Sequence, residues 1–197
     1  RGRFPEFTSP HPAYHGARLA ELGGPGAFAF KARWEGLRDF GAALSPFNAF
    51  QLLQGLETLP LRMQRHGANA WAVARWLQDH PGVAWVNYPG LPSHPSHGRA
   101  LRFFRKGAGF GGILTFGVKG GLAAGRRLLD RVRLFSRLAN VGDAKSLILH
   151  PATTTHQQLT PEERLAMGVT EDLIRLSVGL EHVDDLIADL DRALGER

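Results

Sequence analysis

The chain has 197 residues, 43% hydrophobic and 21% charged, a balance that supports a packed core and excludes a disordered chain. It carries no cysteine, which excludes disulfides and cysteine-ligated zinc or iron–sulfur centres, and no apolar run approaches the roughly 20 residues of a membrane helix. A formal charge of +6 raises nucleic acid as a partner, but the nearest basic cluster (Arg126, Arg127, Arg131, Arg133) alternates with core-spaced Leu128, Leu129 and Val132 and reads as a solvated helix face.

The opening, Arg1-Gly2-Arg3-Phe4-Pro5-Glu6-Phe7, has neither an initiator Met nor a signal-peptide pattern, so the sequence reads as the interior of a longer protein. Residues 1–27, rich in Pro, Gly and His, are expected to be loop lying against something else. Phe28 to Phe40 is a plausible helix ending near Gly41. Ser45-Pro46 supplies an N-cap and a first-position Pro for the next helix, with apolar residues at Phe50, Leu53 and Leu56. Pro60 should kink or interrupt it; the pattern resumes through Met63, Val73 and Leu77 and stops at His80-Pro81-Gly82. A bent helix of this kind often joins two domains, and the boundary is expected within it.

Beyond Gly82 the texture changes. Strand-like runs occur at Val83–Tyr88, Gly111–Val118, Lys145–Leu149 and Leu173–Val178. Helices are expected over Leu122–Phe135, after the capping box Thr160-Pro161-Glu162-Glu163, and over the last stretch with Val183, Leu186, Ile187, Leu190 and Leu194 on one face. Asp184, Asp185 and Asp189 are read there as acids favoured by the helix dipole. This order predicts an α/β fold whose small sheet is mostly antiparallel.

Chemistry alone leaves few candidates. His94 and His97 have metal-ligand spacing but sit among Pro and Ser, so a loop with two solvent histidines is expected. His150 and His156 flank Thr153, Thr154 and Thr155 without the glycine elbow of a hydrolase. Gly107-Ala108-Gly109-Phe110-Gly111-Gly112 precedes a strand, the wrong order for a phosphate cradle, and reads as a tight turn. Arg175, in mid-strand, needs an anion if buried. Three readings stand: an Arg on an exposed face, an internal ion pair with an acid such as Glu181, or a planar fork for a ligand carboxylate.

Several segments together resemble the Cys/Met-metabolism family of pyridoxal-phosphate enzymes. They are Ser45-Pro46-Phe47-Asn48-Ala49-Phe50 with Gly55-Leu56-Glu57-Thr58-Leu59, then Asn87-Tyr88-Pro89-Gly90-Leu91, then Ser146-Leu147-Ile148 with His150-Pro151-Ala152, and Arg175-Leu176-Ser177-Val178-Gly179-Leu180-Glu181. Three more segments are similar to the branch that makes homocysteine and acetate from O-acetyl-L-homoserine and sulfide. These are Arg3-Phe4-Pro5-Glu6-Phe7 with Tyr14-His15-Gly16, Leu138 to Ser146, and Thr153-Thr154-Thr155-His156-Gln157-Gln158. Relatives acting as cystathionine synthases or γ-lyases usually carry Ser-Leu-Gly where this chain has Asn140-Val141-Gly142; they are the alternative within the family, and a basic nucleic-acid-binding module is the alternative outside it.

The resemblance implies that residues 1–44 finish a large cofactor domain, residues 45–82 form a bent connecting helix, and residues 83–197 form a small C-terminal α/β domain. It further implies that Arg175 binds the substrate α-carboxylate, that Asn140 and Val141 lie beside it, and that Thr155 lines the pocket entrance. The family's Schiff-base lysine sits in a Ser-x-Thr-Lys segment, a context that none of Lys31, Lys106, Lys119 and Lys145 has. Pyridoxal phosphate is therefore expected to be held outside this chain, which alone should be inactive and poorly soluble. A cytoplasmic homotetramer, without metal, membrane or nucleic acid, is the implied assembly.

Overall fold

The computed structural model describes residues 3–195; Arg1, Gly2, Glu196 and Arg197, the ends of the expected 1–44 and 83–197 segments, lie outside the described residues. The chain divides into two compact units, Arg1–Gly55 and Leu56–Arg197.

The first unit is helical. Short helices α1 (Pro5–Thr8) and α2 (Leu19–Gly23) replace the loop expected before residue 27. Pro at the first or second position of α1 presets φ for its single turn. Helix α3 (Ala27–Lys31) continues through a π-helical stretch at Ala32–Leu37 into α4 (Arg38–Phe40), and Gly41 ends it with φ 65°. The wide turn lies where Trp34 meets Tyr14 and Phe30, with ring centroids 4.4 and 4.5 Å apart. Glu35 pairs with Lys31 and with His11, and Lys31, its hydrogen-bond donor, holds the Glu35 carboxyl below the usual carboxylate range. Ser45 Oγ accepts the Asn48 N–H (3.1 Å) ahead of α5 (Pro46–Glu57), so the expected N-cap forms.

In the second unit, α6 (Leu59–Asp79) starts after a break at Thr58, with Pro60 in its first turn, where a missing N–H costs nothing. The interruption expected at Pro60 is thus two residues earlier. Strands β1 (Val83–Asn87), β2 (Ile113–Val118), β3 (Ser136–Arg137), β4 (Leu147–Leu149) and β5 (Leu173–Ser177) form one sheet in the order β1-β2-β5-β4-β3. Three of its four pairings are antiparallel; only β3 with β4 is parallel. The mostly antiparallel α/β sheet expected from the sequence is present.

Helices α7 (His97–Phe103), α8 (Gly121–Arg131), α9 (Pro161–Ala166) and α10 (Val183–Gly195) complete the unit. Alternation sends Leu114, Phe116, Ile174 and Leu176 into a core with Val73 and Leu77 of α6, Leu128 of α8, and Leu186 and Leu190 of α10. Arg175 and Thr115 pair on the opposite face.

Three expectations need correction. His97 is not in a loop but opens α7, its Nδ1 2.9 Å from the Pro89 carbonyl. Helix α8 stops at Arg131 rather than Phe135. The cause is Asp189, which is buried in mid-helix rather than acting as a dipole acid. Its carboxylate accepts the N–H groups of Arg133, Leu134 and Phe135, offering the backbone an alternative to further helix.

Candidate functional site

Arg175 sits at the centre of β5, flanked by Thr115 on β2 and Leu149 on β4. The residue is partly buried, and its Nη2 donates to the Asn140 carbonyl at 3.2 Å in an exposed contact. Among the described residues no carboxylate pairs with it. The ion-pair reading fails for a specific reason: Glu181 is engaged elsewhere, accepting the Ser146 N–H at 2.7 Å and the Ser146 hydroxyl at 2.8 Å. A planar cation with most of its donors uncommitted by protein acids is suited to a ligand carboxylate.

The turn beside it is exposed and built from short side chains. Asn140 Oδ1 accepts the Val141 N–H at 2.9 Å, and Asn140 Nδ2 donates to Asp143 Oδ2 at 3.3 Å. Asp143 Oδ1 accepts the Lys145 N–H at 3.1 Å. The structure therefore brings Arg175, Asn140 and Val141 together. Thr155 is exposed with its hydroxyl 2.8 Å from His156 Nδ1, and no contact among the described residues joins it to Arg175.

His150, His66 and His94 are engaged within the fold. His150 is fully buried, Nε2 2.7 Å from the Glu171 carbonyl and Nδ1 2.9 Å from Thr153 Oγ1. A carbonyl accepts only, so Nε2 carries the proton and Nδ1 accepts from Thr153. Thr153 is thereby partnered by a fully buried histidine and not by His156, whose Nδ1 lies 2.8 Å from the Thr155 hydroxyl. His66 is buried on α6 with Nδ1 2.6 Å from the Val178 carbonyl. His94 contacts Asn87 Oδ1 at 2.7 Å and the Ser96 N–H at 3.0 Å. No group of three His, Cys, Asp or Glu among the described residues could hold a metal. Tyr88, buried with its hydroxyl on the Gly111 carbonyl (2.9 Å), is pushed up to about 12 by burial and stays neutral.

Three of the four lysines are exposed and Lys31 is half-buried. Lys31 pairs with Glu35, Lys119 donates to the Pro81 carbonyl at 2.7 Å, and Lys106 and Lys145 are exposed. Arg126 and Arg127 are likewise exposed on α8. Arg127 and Arg131 border, with Lys119, His80 and Asp191, an open cleft of about 690 Å³. No helix among the described residues is long and apolar enough to cross a membrane.

Residues the sequence did not single out hold the site in place. Asn69, buried on α6, donates through Nδ2 to the carbonyls of Gly179 (3.0 Å) and Glu181 (2.9 Å). Ser146 was visible only as a letter of a family-like segment and Glu181 only as a possible partner of Arg175; nothing in their spacing announces that they meet.

The family described as Cys/Met metabolism PLP-dependent enzyme matches residues 19–195. The O-acetyl-L-homoserine sulfhydrylase 1 of Thermus thermophilus is 55% identical over 193 residues, covering 98% of this chain and 45% of that protein. The homocysteine synthase of Schizosaccharomyces pombe is 54% identical, covering 98% and 44%. A crystal structure assigned as an O-acetylhomoserine (thiol)-lyase from Campylobacter jejuni, holding N'-pyridoxyl-lysine-5'-monophosphate, superposes with a TM-score of 0.85 at 47% identity. It is matched over 98% of this chain and 45% of its own. The chain thus spans a little under half the length of the relatives it matches.

Proposed function

The chain belongs to the Cys/Met metabolism PLP-dependent enzyme family, and we propose that it is the substrate-orienting part of an O-acetylhomoserine sulfhydrylase. The whole enzyme would convert O-acetyl-L-homoserine and sulfide to homocysteine and acetate. Its cofactor supplies an electron sink when bound. The residues of this chain do not fit the cofactor's covalent seat: Lys106, Lys119 and Lys145 are exposed, and the half-buried Lys31 is committed to Glu35. No step through the cofactor is assigned to these residues.

What the chain contributes is orientation. Arg175 takes the substrate α-carboxylate in its guanidinium fork, and Asn140 and Val141 border the same carboxylate. Thr155 lines the entrance. Binding energy spent at that end aligns the distant γ-carbon for reaction. In this reading residues 1–44 complete the cofactor domain, residues 45–82 connect, and residues 83–197 form the C-terminal domain of a homotetramer working in the cytoplasm. The carrying observation is Arg175 itself, a mid-strand cation that no acid among the described residues pairs with, next to the Asn140 carbonyl.

The test is steady-state kinetics on the full-length gene product, following homocysteine and acetate. Arg175→Ala is expected to raise KM for O-acetyl-L-homoserine about 10- to 100-fold, the worth of one or two charge-assisted hydrogen bonds, with KM for sulfide unchanged. The 197-residue chain by itself is expected to show no turnover. An unchanged KM in Arg175→Ala would overturn the assignment, and a preference for cysteine over sulfide would move the enzyme to the cystathionine-synthase branch.

A further inference from the structure

Resting on the reading above and deepening it, we propose that Glu181 is a positioning residue: it sets the Asn140–Val141 turn opposite Arg175 without touching substrate. Glu181 lies beyond the end of β5, six residues after Arg175. Its carboxylate takes both donors of one residue, the Ser146 N–H at 2.7 Å and the Ser146 hydroxyl at 2.8 Å. The same hydroxyl accepts the Gly179 N–H at 2.7 Å, and the Leu180 N–H donates to the Ala144 carbonyl at 2.9 Å. Segments 144–146 and 179–181 are thereby laced together just before β4 and just after β5.

The clasp has no slack. A Cβ on Gly179 would lie 2.5 Å from both the Ala144 carbonyl oxygen and the Ser146 nitrogen, so only glycine lets the two backbones meet. One side is fixed to the frame, because Asn69 of α6 holds the carbonyls on either side of Leu180. The other side leads to the turn. From Ser146 the chain runs back through Lys145, whose N–H is on Asp143, to Asn140, whose Nδ2 is on the other oxygen of Asp143 and whose carbonyl meets Arg175.

Residues 138–142 are exposed; β3 and the Ser136 N–H on the Ser146 carbonyl (3.0 Å) anchor the end that leads into them, and the clasp anchors the end that leads out. The β4–β5 ladder does not reach them: its register covers only 147–149 and 175–177. A carboxylate suits the task because its two oxygens accept two donors from one residue, whereas an amide offers a single oxygen.

The experiment compares Glu181→Ala and Glu181→Gln with wild type in the full-length protein, by steady-state kinetics and amide hydrogen exchange, with Arg175→Ala measured alongside. The expected result is a KM for O-acetyl-L-homoserine raised about tenfold in Glu181→Ala and less in Glu181→Gln, with kcat within about threefold. Exchange should quicken at 138–146 while β2 and β5 keep their protection. An effect of Arg175→Ala with flat KM in both Glu181 variants would overturn this proposal alone. A KM rise accompanied by faster exchange across β2 and β5 would make Glu181 a stability residue and overturn it too. If Arg175→Ala itself leaves KM unchanged, the carboxylate reading falls, and this proposal with it.

Discussion

Residues 3–55 and 56–195 both carry abundant aromatic and aliphatic side chains, and they dispose of them differently. In the first unit Leu19 is the one buried apolar side chain among the described residues, while Phe4, Phe28, Phe40, Phe47 and Phe50 are exposed. Phe4, Phe7, Phe28 and Phe40 line an apolar groove of about 600 Å³. In the second unit Phe116, Ile148, Ile174 and Leu176 are sealed between the sheet and three helices. Well-formed caps and turns therefore do not by themselves make a core. The exposed face of the first unit is the kind that a segment completing a larger body presents, which supports the placement proposed for residues 1–44. Arg175, Asn140, Val141 and Thr155, the residues of the proposed carboxylate site, all lie in the unit that has a core.

The contrast can be broken most sharply by cutting into each unit in turn. Phe116→Ala, at 0% exposure, should destabilise the second unit by about 3–5 kcal/mol, whereas Phe28→Ala, at 77%, should change stability by no more than about 0.5 kcal/mol. Urea melts of both variants of the 197-residue chain measure this; equal losses would mean that the first unit has a core of its own.

A smaller effect, about 1–3 kcal/mol, is expected for Asp189→Ala, which leaves three backbone N–H groups without their acceptor. Burial alone would raise the Asp189 carboxyl, but the N–H groups of Arg133 and Leu134, the Arg192 guanidinium and the Phe135 N–H outweigh it and hold it below the usual aspartate range. With the folded value depressed, this contribution is whole above about pH 4 and lost as pH falls through the folded value. Thermal melts from pH 6 downward should show the gap between wild type and Asp189→Asn narrowing with acid; a constant gap would refute the linkage.

The smallest effect falls at the surface of the second unit. Thr160→Ala removes a capping box whose two hydrogen bonds measure 2.9 and 3.2 Å, and should cost about 1 kcal/mol by chemical denaturation. No loss would place α9 outside the cooperative unit.

Local signals were legible wherever a residue's own neighbours decide its conformation. The capping box at Thr160, the Ser45 cap, the stop at His80-Pro81-Gly82 and the apolar face of α10 all read correctly because each is settled within a turn or two of chain. What escaped depends on distant partners. Helix α8 reads as running to Phe135 until Asp189, more than fifty residues on, takes its N–H groups, and β3 exists only because β4 lies beside it. The site divides in the same way. Arg175 announces a need for an anion by its place in a strand, and the resemblance names Asn140 as its neighbour. That Glu181 turns away to Ser146 is a long-range choice between two acceptable partners, and spacing holds no record of it.

The two-residue β3 has a consequence for the molecule in a crowd. It closes one edge of the sheet, and the other edge, β1, is broken by a shift in register between Val83 and Trp85 and bounded by Pro81 and Pro89. Neither margin offers a long, flat row of open backbone groups on which a second molecule could template itself. When copies of this chain clump, side chains will hold them together, and dilution or detergent should release them where a fibril would persist.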